Sequence, residues 1–242
     1  MKAMRLDKWL AHTGVGTRTE VKKAIRAQRV MVNGEVARDP GAHVTPGVDT
    51  VEFDGEALEY QAHAYFMMYK PQGVLSATED VRDPVVTDLL APQDAHFAVF
   101  PVGRLDKDAE GLLLLTNDGQ LTHQLLAPKK HVAKIYYVEV TGTLTQQDVD
   151  AMEKGIVLED GYQSMPAMLE IIEADLTSSA RITIYEGKFH QIKRMFDMLG
   201  KPVTFLKRLQ MGPLVLDEAL QPGEYRPLTE QECNALQRIN PA

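Results

Sequence analysis

The residues most able to do chemistry sit in one stretch, Gly103-Arg104-Leu105-Asp106-Lys107-Asp108-Ala109-Glu110-Gly111, which runs into Leu112-Leu113-Leu114-Leu115. A strand that is apolar on every side is buried on both faces, so the loop before it starts from a rigid anchor. Polar groups on a loop held that way are well placed to act on a ligand. A carboxylate there can serve as a nucleophile or move a proton. Read locally, however, Asp106 serves equally well as the cap of a turn. After the apolar run, Asn117, Asp118 and Gly119 turn the chain into a helix with Leu121, Leu125 and Leu126 on its apolar side, ended by Pro128.

Further along the chain stand Lys134-Ile-Tyr136-Tyr137-Val138, patterned as a strand, and Glu186-Gly-Lys-Phe-His190-Gln-Ile-Lys193-Arg194-Met195. Together with the Asp106 stretch these resemble, in the same order, the motifs of the small-subunit (RsuA) family of pseudouridine synthases. The resemblance runs from Met4 to the ending Pro222-Gly-Glu-Tyr-Arg-Pro-Leu-Thr229. It implies that Asp106 is the catalytic carboxylate, that Tyr136 lies against the target base and that Lys193 is the cation paired with Asp106. A carboxylate in a dry pocket is pushed toward its neutral form, and a neighbouring cation offsets that. An aromatic ring suits a base that must turn, since stacking contributes roughly 1–3 kcal/mol. Tyr137, next along a strand, faces the opposite way and is expected in the core. His190 is read as hydrogen-bonded support.

A uridine in structured RNA must be flipped out to be reached. Arg104, two residues from Asp106, is assigned to the flanking phosphate or to the space the base leaves. Lys107, Lys129, Lys130, Lys134 and Arg194 are candidate phosphate contacts. Residues 181–208 hold seven Lys or Arg against Glu186 and Asp197, which reads as a basic patch.

The elements that must position these groups follow from pattern. Short strands separated by turn signals point to an α+β chain. Tyr65 to Tyr69 is a strand stopped by Lys70-Pro71-Gln-Gly73, and Phe97 to Phe100 is another. The resemblance implies that residues 63–242 form a catalytic domain on a mostly antiparallel, strongly bent sheet, with Asp106 on the cleft floor.

Upstream, the chain carries a net charge of −8, which argues against a nucleic-acid partner until its distribution is considered. Residues 1–38 hold nine Lys or Arg against Asp7, Glu20 and Glu35. A local basic face is what attracts phosphates. Leu6 and Leu10, then Val21 and Ile25, mark two short helices by their four-residue spacing. Thr17 with Glu20 fits a capping box. Val30, Val32 and Val36 flank Asn33-Gly34, a hairpin signal, and Thr50 to Phe53 ends at Asp54-Gly55. These features resemble the RNA-binding domain first seen in ribosomal protein S-four, here residues 1–60. That likeness implies RNA-backbone contacts from Arg5, Lys8, Arg18, Lys22, Lys23 and Arg26.

The expected activity is isomerisation of one uridine in 16S rRNA, with a 23S target or a non-catalytic assembly factor as alternatives. The expected partner is ribosomal RNA in an assembling small subunit, met by a monomer in the cytoplasm. No cofactor is expected, because the isomerisation is redox-neutral and needs no group donor. The seven histidines show no metal-ligand spacing, so no metal is expected either. The single cysteine, Cys233, forms no internal disulfide, and no apolar run approaches a membrane span or a secretory leader.

Overall fold

A computed structural model describes residues 2–127 and 130–239. Pro128, expected to end a helix, and Lys129, a candidate phosphate contact, lie outside the described residues. The chain divides into two compact units, one of residues 1–64 and 90–99, the other of residues 65–89 and 100–242.

In the first unit the helices Leu6–His12 and Arg18–Arg26 bury Leu6, Trp9, Leu10, Val21 and Ile25 against Val30, Val44 and Val51. Thr17 and Glu20 form the capping box the sequence predicts. The strands Val30–Val32 and Glu35–Val36 pair around Asn33 (φ 53°) and Gly34 (φ 82°). Two successive left-handed residues make the turn whose twist suits a tight hairpin, which is why Asn-Gly occupies it. Val51–Phe53 and Glu56–Leu58 repeat the device at Asp54 and Gly55.

Residues 97–100 correct one expectation. Only Phe100–Pro101 is strand. Ala98 has φ 49°, which breaks an extended run, and the Phe97 ring packs edge-on to His12 at 6.4 Å. Residues up to Val99 cluster with the first unit, and the sheet begins only at Phe100.

The second unit is built on a nine-stranded sheet. From one edge its main path runs Met168–Glu173, Thr177–Ile184, Lys134–Thr141, Val203–Met211, Glu110–Thr116, Tyr65–Lys70 and Tyr225–Pro227. Every pairing is antiparallel except that of Val203–Met211 with Glu110–Thr116, where Lys207 lies opposite Glu110 and Arg208 opposite Gly111. Register shifts at Ile135/Tyr136 and Glu139/Val140 bend the strand beside it. Leu112 to Leu115 are fully buried, as their unbroken run requires. Gly111 cannot be replaced without rearrangement: φ is 107°, and a Cβ would stand 2.3 Å from the Arg208 carbonyl oxygen. This glycine lets the two strands meet at the parallel seam.

The helix Gly119–Leu126 buries Leu121 and Leu125 as expected, but Leu126 is 41% exposed. It borders a cavity instead of the core. Gln191–Met198 buries Ile192, Met195 and Phe196 against the sheet, which fixes the direction in which Lys193 can reach.

Candidate active site

The loop before Glu110–Thr116 is held from below by a buried cation. Lys70 ends the Tyr65–Lys70 strand with its side chain fully buried. Its Nζ donates to the carbonyls of Pro71 (2.9 Å), Asp106 (3.0 Å) and Ala109 (2.8 Å). From the side, Ser76 Oγ donates to the Leu105 carbonyl at 2.9 Å and accepts from the Leu105 N–H at 3.0 Å. The Gly73 N–H reaches the Lys107 carbonyl at 2.7 Å. Burial pushes the Lys70 ammonium down to about 8, and the charges of Asp106 and Asp108 partly oppose that.

An ammonium has three N–H donors and an amine two, so the three-carbonyl clamp needs the charged form. Lys70→Met should leave these carbonyls without their donor, at about 1–3 kcal/mol for each one stranded. Loss of aim at Asp106 should slow turnover by about 10²-fold, the scale of a small misplacement of a reacting group. Urea unfolding and single-turnover rates across pH 7–10 measure both effects. The wild-type rate should fall as the pH rises through about 8, and that step should be absent from the variant.

Above this clamp the Asp106 side chain is 26% exposed. Lys193 Nζ stands 3.3 Å from its Oδ2 and 2.5 Å from Oδ1 of Asp108. The ammonium is therefore shared between two carboxylates. Its hydrogen bond holds the Asp108 carboxyl below the usual range, with burial opposing. His190, in a left-handed conformation at the start of Gln191–Met198, places Nε2 3.7 Å from Asp106 Oδ1. That is ion-pair range, longer than the hydrogen bond expected of a support residue. Its ring stacks on Phe189, centroids 3.8 Å apart. The segment is steadied by Gln191, which accepts from the Lys188 N–H at 2.9 Å and donates to Glu186 at 2.7 Å.

These groups face a cavity of about 390 Å³, which Asp106, Tyr136, Lys134, Arg104, His190 and Arg208 help to line. Ligand pockets commonly have this size. Tyr136 is buried on its wall and lies opposite Arg208 in the strand register. Tyr137 faces the other way, as strand alternation requires, but is only half-buried, with its hydroxyl on Glu139 at 3.0 Å. The core lies on the side of Tyr136, Val138 and Val140, which corrects the expectation that Tyr137 is core. Arg104 is exposed. Lys134 is half-buried, and burial, then the nearby Arg208 charge, lowers its pKa.

The cations expected as a basic patch over residues 181–208 have partners within the fold. Arg181 pairs with Glu170, Lys193 with Asp106 and Asp108, and Lys201 with Asp148. Arg194, expected at phosphate, is held by Glu159 at 2.6 Å and Asp160 at 2.5 Å. Lys188 lies over the Tyr162 ring and Lys207 over Tyr69. Arg208 is buried. Charge counted along the chain omits the partners that folding supplies.

In the first unit, Arg5, Arg18 and Lys22 gather around the buried carboxylate of Asp7 at 3.0, 3.4 and 4.0 Å. The Arg5 hydrogen bond holds that carboxyl below the usual range. Lys8, Lys23 and Arg26 are exposed. Among the described residues no group of three His, Cys, Asp or Glu could hold a metal ion. No helix among them is long and apolar enough to cross a membrane.

Residues 64–198 match the family model for RNA pseudouridylate synthase. The chain belongs to that family. Residues 4–49 match the S4 domain, so the chain couples an RNA-binding module to a synthase sheet that is mostly antiparallel. An uncharacterized RNA pseudouridine synthase of Bacillus subtilis is 51% identical, with 96% of this chain and 98% of that protein covered. Ribosomal small subunit pseudouridine synthase A of Yersinia pestis is 39% identical over 95% of this chain and 96% of its own. Ribosomal large subunit pseudouridine synthase B of Bacillus subtilis is also 39% identical, covering 97% and 96%. A crystal structure of a pseudouridylate synthase aligns with a TM-score of 0.68 at 37% identity, covering 96% of this chain and 99% of that one.

Four roles at the site escape the sequence reading: those of Lys70, Ser76, Asp108 and Arg208. Only Lys70 leaves a local signal, a lysine closing an otherwise buried strand just before a proline. The others depend on partners 29, 85 and 96 residues away in sequence.

Proposed function

We propose that this synthase converts one uridine of 16S rRNA to pseudouridine, with Asp106 as the carboxylate that acts on it. The observation carrying this reading is the Asp106 carboxylate opening onto a nucleotide-sized cavity, with the Lys193 ammonium at 3.3 Å and Tyr136 on the wall. Whether it attacks the sugar carbon or takes a proton from the sugar, the carboxylate must be ionised, and the ammonium favours that form. Tyr136 offers the uracil a flat face while it turns. Arg104 meets the flanking phosphate, and Lys134 is placed to meet the nucleotide within the cavity. The exposed cations of the first unit, from Arg5 to Arg26, grip RNA away from the target. Residues 1–60 serve RNA binding and residues 63–242 catalysis, in a monomer that acts in the cytoplasm on rRNA of the assembling small subunit.

A 23S target is the second reading, because the large-subunit relative is as similar as the small-subunit one. The Pro222–Thr229 ending looks more like the small-subunit branch, but it discriminates weakly for a physical reason. Tyr225 to Pro227 pair with the Tyr65–Lys70 strand, and Thr229 caps the last helix, so these residues answer to the fold. Pseudouridine mapping of both rRNAs from a deletion strain decides between the two. One site should vanish from 16S and none from 23S. Loss of a 23S site with 16S intact moves the target to the large subunit.

A further inference from the structure

Arg208 is a buried cation with work left over. It is 1% exposed, and its Nε donates to the Leu112 carbonyl at 2.7 Å. Its Nη2 is also buried and has no hydrogen-bond partner among the described residues. A buried donor left unmade is costly, and more so on a charged group, so such an atom calls for an acceptor that arrives from outside. Arg208 lines the same cavity as Asp106 and is the cross-strand neighbour of Tyr136. It is anchored at the parallel seam, where its backbone meets Gly111 so closely that no Cβ fits. A guanidinium cannot lose its proton or accept a hydrogen bond. Its partner must therefore be an acceptor that reaches the depth of Tyr136. A phosphate is met sooner by the exposed Arg104 and Lys188, which border the cavity.

We propose that Arg208 Nη2 donates to a carbonyl oxygen of the target uracil, O2 or O4, and stabilises the base while it is detached from the sugar. This rests on the isomerisation proposed above. Heterolysis of the C1′–N1 bond leaves its electron pair on the ring, delocalised over N1, C5 and both carbonyl oxygens. Rejoining forms C1′–C5, C5 gives up its hydrogen as a proton, and N1 takes one up, so product and substrate are isomers. A donor fixed at a carbonyl oxygen strengthens as charge grows there, and so favours the transition state over the bound ground state.

The test is a cycle between protein and substrate. Wild type, Arg208→Met and Arg208→Lys are given RNA with uridine, 2-thiouridine or 4-thiouridine at the mapped target, and single-turnover rates and RNA affinity are measured. Arg208→Met should slow uridine turnover by roughly 10²–10³-fold, the cost of losing one such donor, with affinity changed only a few-fold. Sulfur accepts hydrogen bonds weakly, so one of the two thio substitutions should slow the wild type yet cost Arg208→Met little more. Arg208→Lys should fall between them, and it carries the cycle if thermal melting shows that Arg208→Met does not fold. Thio effects of equal size in wild type and variant would overturn the proposal. No turnover of any RNA by the wild type would overturn the isomerisation reading as well, whereas active Arg208 variants with unchanged thio effects would overturn this inference alone.

Discussion

Asp106→Asn should abolish pseudouridine formation while leaving RNA affinity within a few-fold. The amide keeps the carboxylate's shape but neither ionises nor attacks carbon as a carboxylate does. The expected loss is at least about 10³-fold, since both a nucleophile and a proton-transfer group contribute on that scale or above it. The fold should tolerate the change because the loop is not held by this side chain. Lys70 and Ser76 grip its backbone, and Lys193 keeps its 2.5 Å contact to Asp108. Single-turnover assay with purified protein, alongside RNA binding, is the measurement. Turnover above background would remove Asp106 from its assigned role.

Asp108→Asn is the informative companion. Asp108 stands two residues from Asp106 in the same loop. In the structure it competes with Asp106 for one ammonium. Its loss should free Lys193 to close on Asp106. Activity should persist in the same single-turnover assay, and its loss would show that Asp108 is needed to place that ammonium.

The hairpin turns at Asn33-Gly34 and Asp54-Gly55, the Thr17 cap and the buried Leu112–Leu115 strand all rest on interactions within a few residues, so pattern alone finds them. The chemistry-bearing loop is legible for the same reason: its glycine, its acids and the apolar strand are contiguous. The groups that define its setting are not. Arg208 acquires its place from a parallel pairing with Gly111, and Arg194 is taken up by Glu159 and Asp160 across 35 and 34 residues. A count that makes residues 181–208 basic is correct arithmetic on the chain and a poor guide to the surface. At Phe97 an apolar run that suits a strand is used to pack against His12, because hydrophobic pattern specifies burial without naming the partner.

The amino-terminal cations should carry the second large effect, on RNA affinity. Deleting residues 1–60 would strip Leu90–Val99 of the elements it is clustered with, so a weakened truncation would mix lost RNA contacts with damage to the fold. Substituting Lys8, Lys23 and Arg26 together by Gln avoids this, because all three are exposed and none joins the Asp7 cluster. If each neutralises a phosphate, the slope of log affinity against log salt should flatten by roughly 0.7–0.9 per residue. Three contacts together should lower rRNA affinity by about 10²-fold near 0.1 M salt, with each phosphate contact worth a few-fold to tenfold there. Arg5, Arg18 and Lys22 should behave differently. They share one buried carboxylate, so removing any of them also leaves Asp7 less compensated, and stability should fall together with affinity. Filter binding across a salt series, with thermal melting of each variant, separates the two groups. Single-turnover rates at saturating RNA should stay near wild type for the Lys8, Lys23 and Arg26 variant, since Asp106, Tyr136 and Lys193 are untouched. An unchanged salt slope would mean that these three side chains form a solvated face and that RNA is gripped elsewhere.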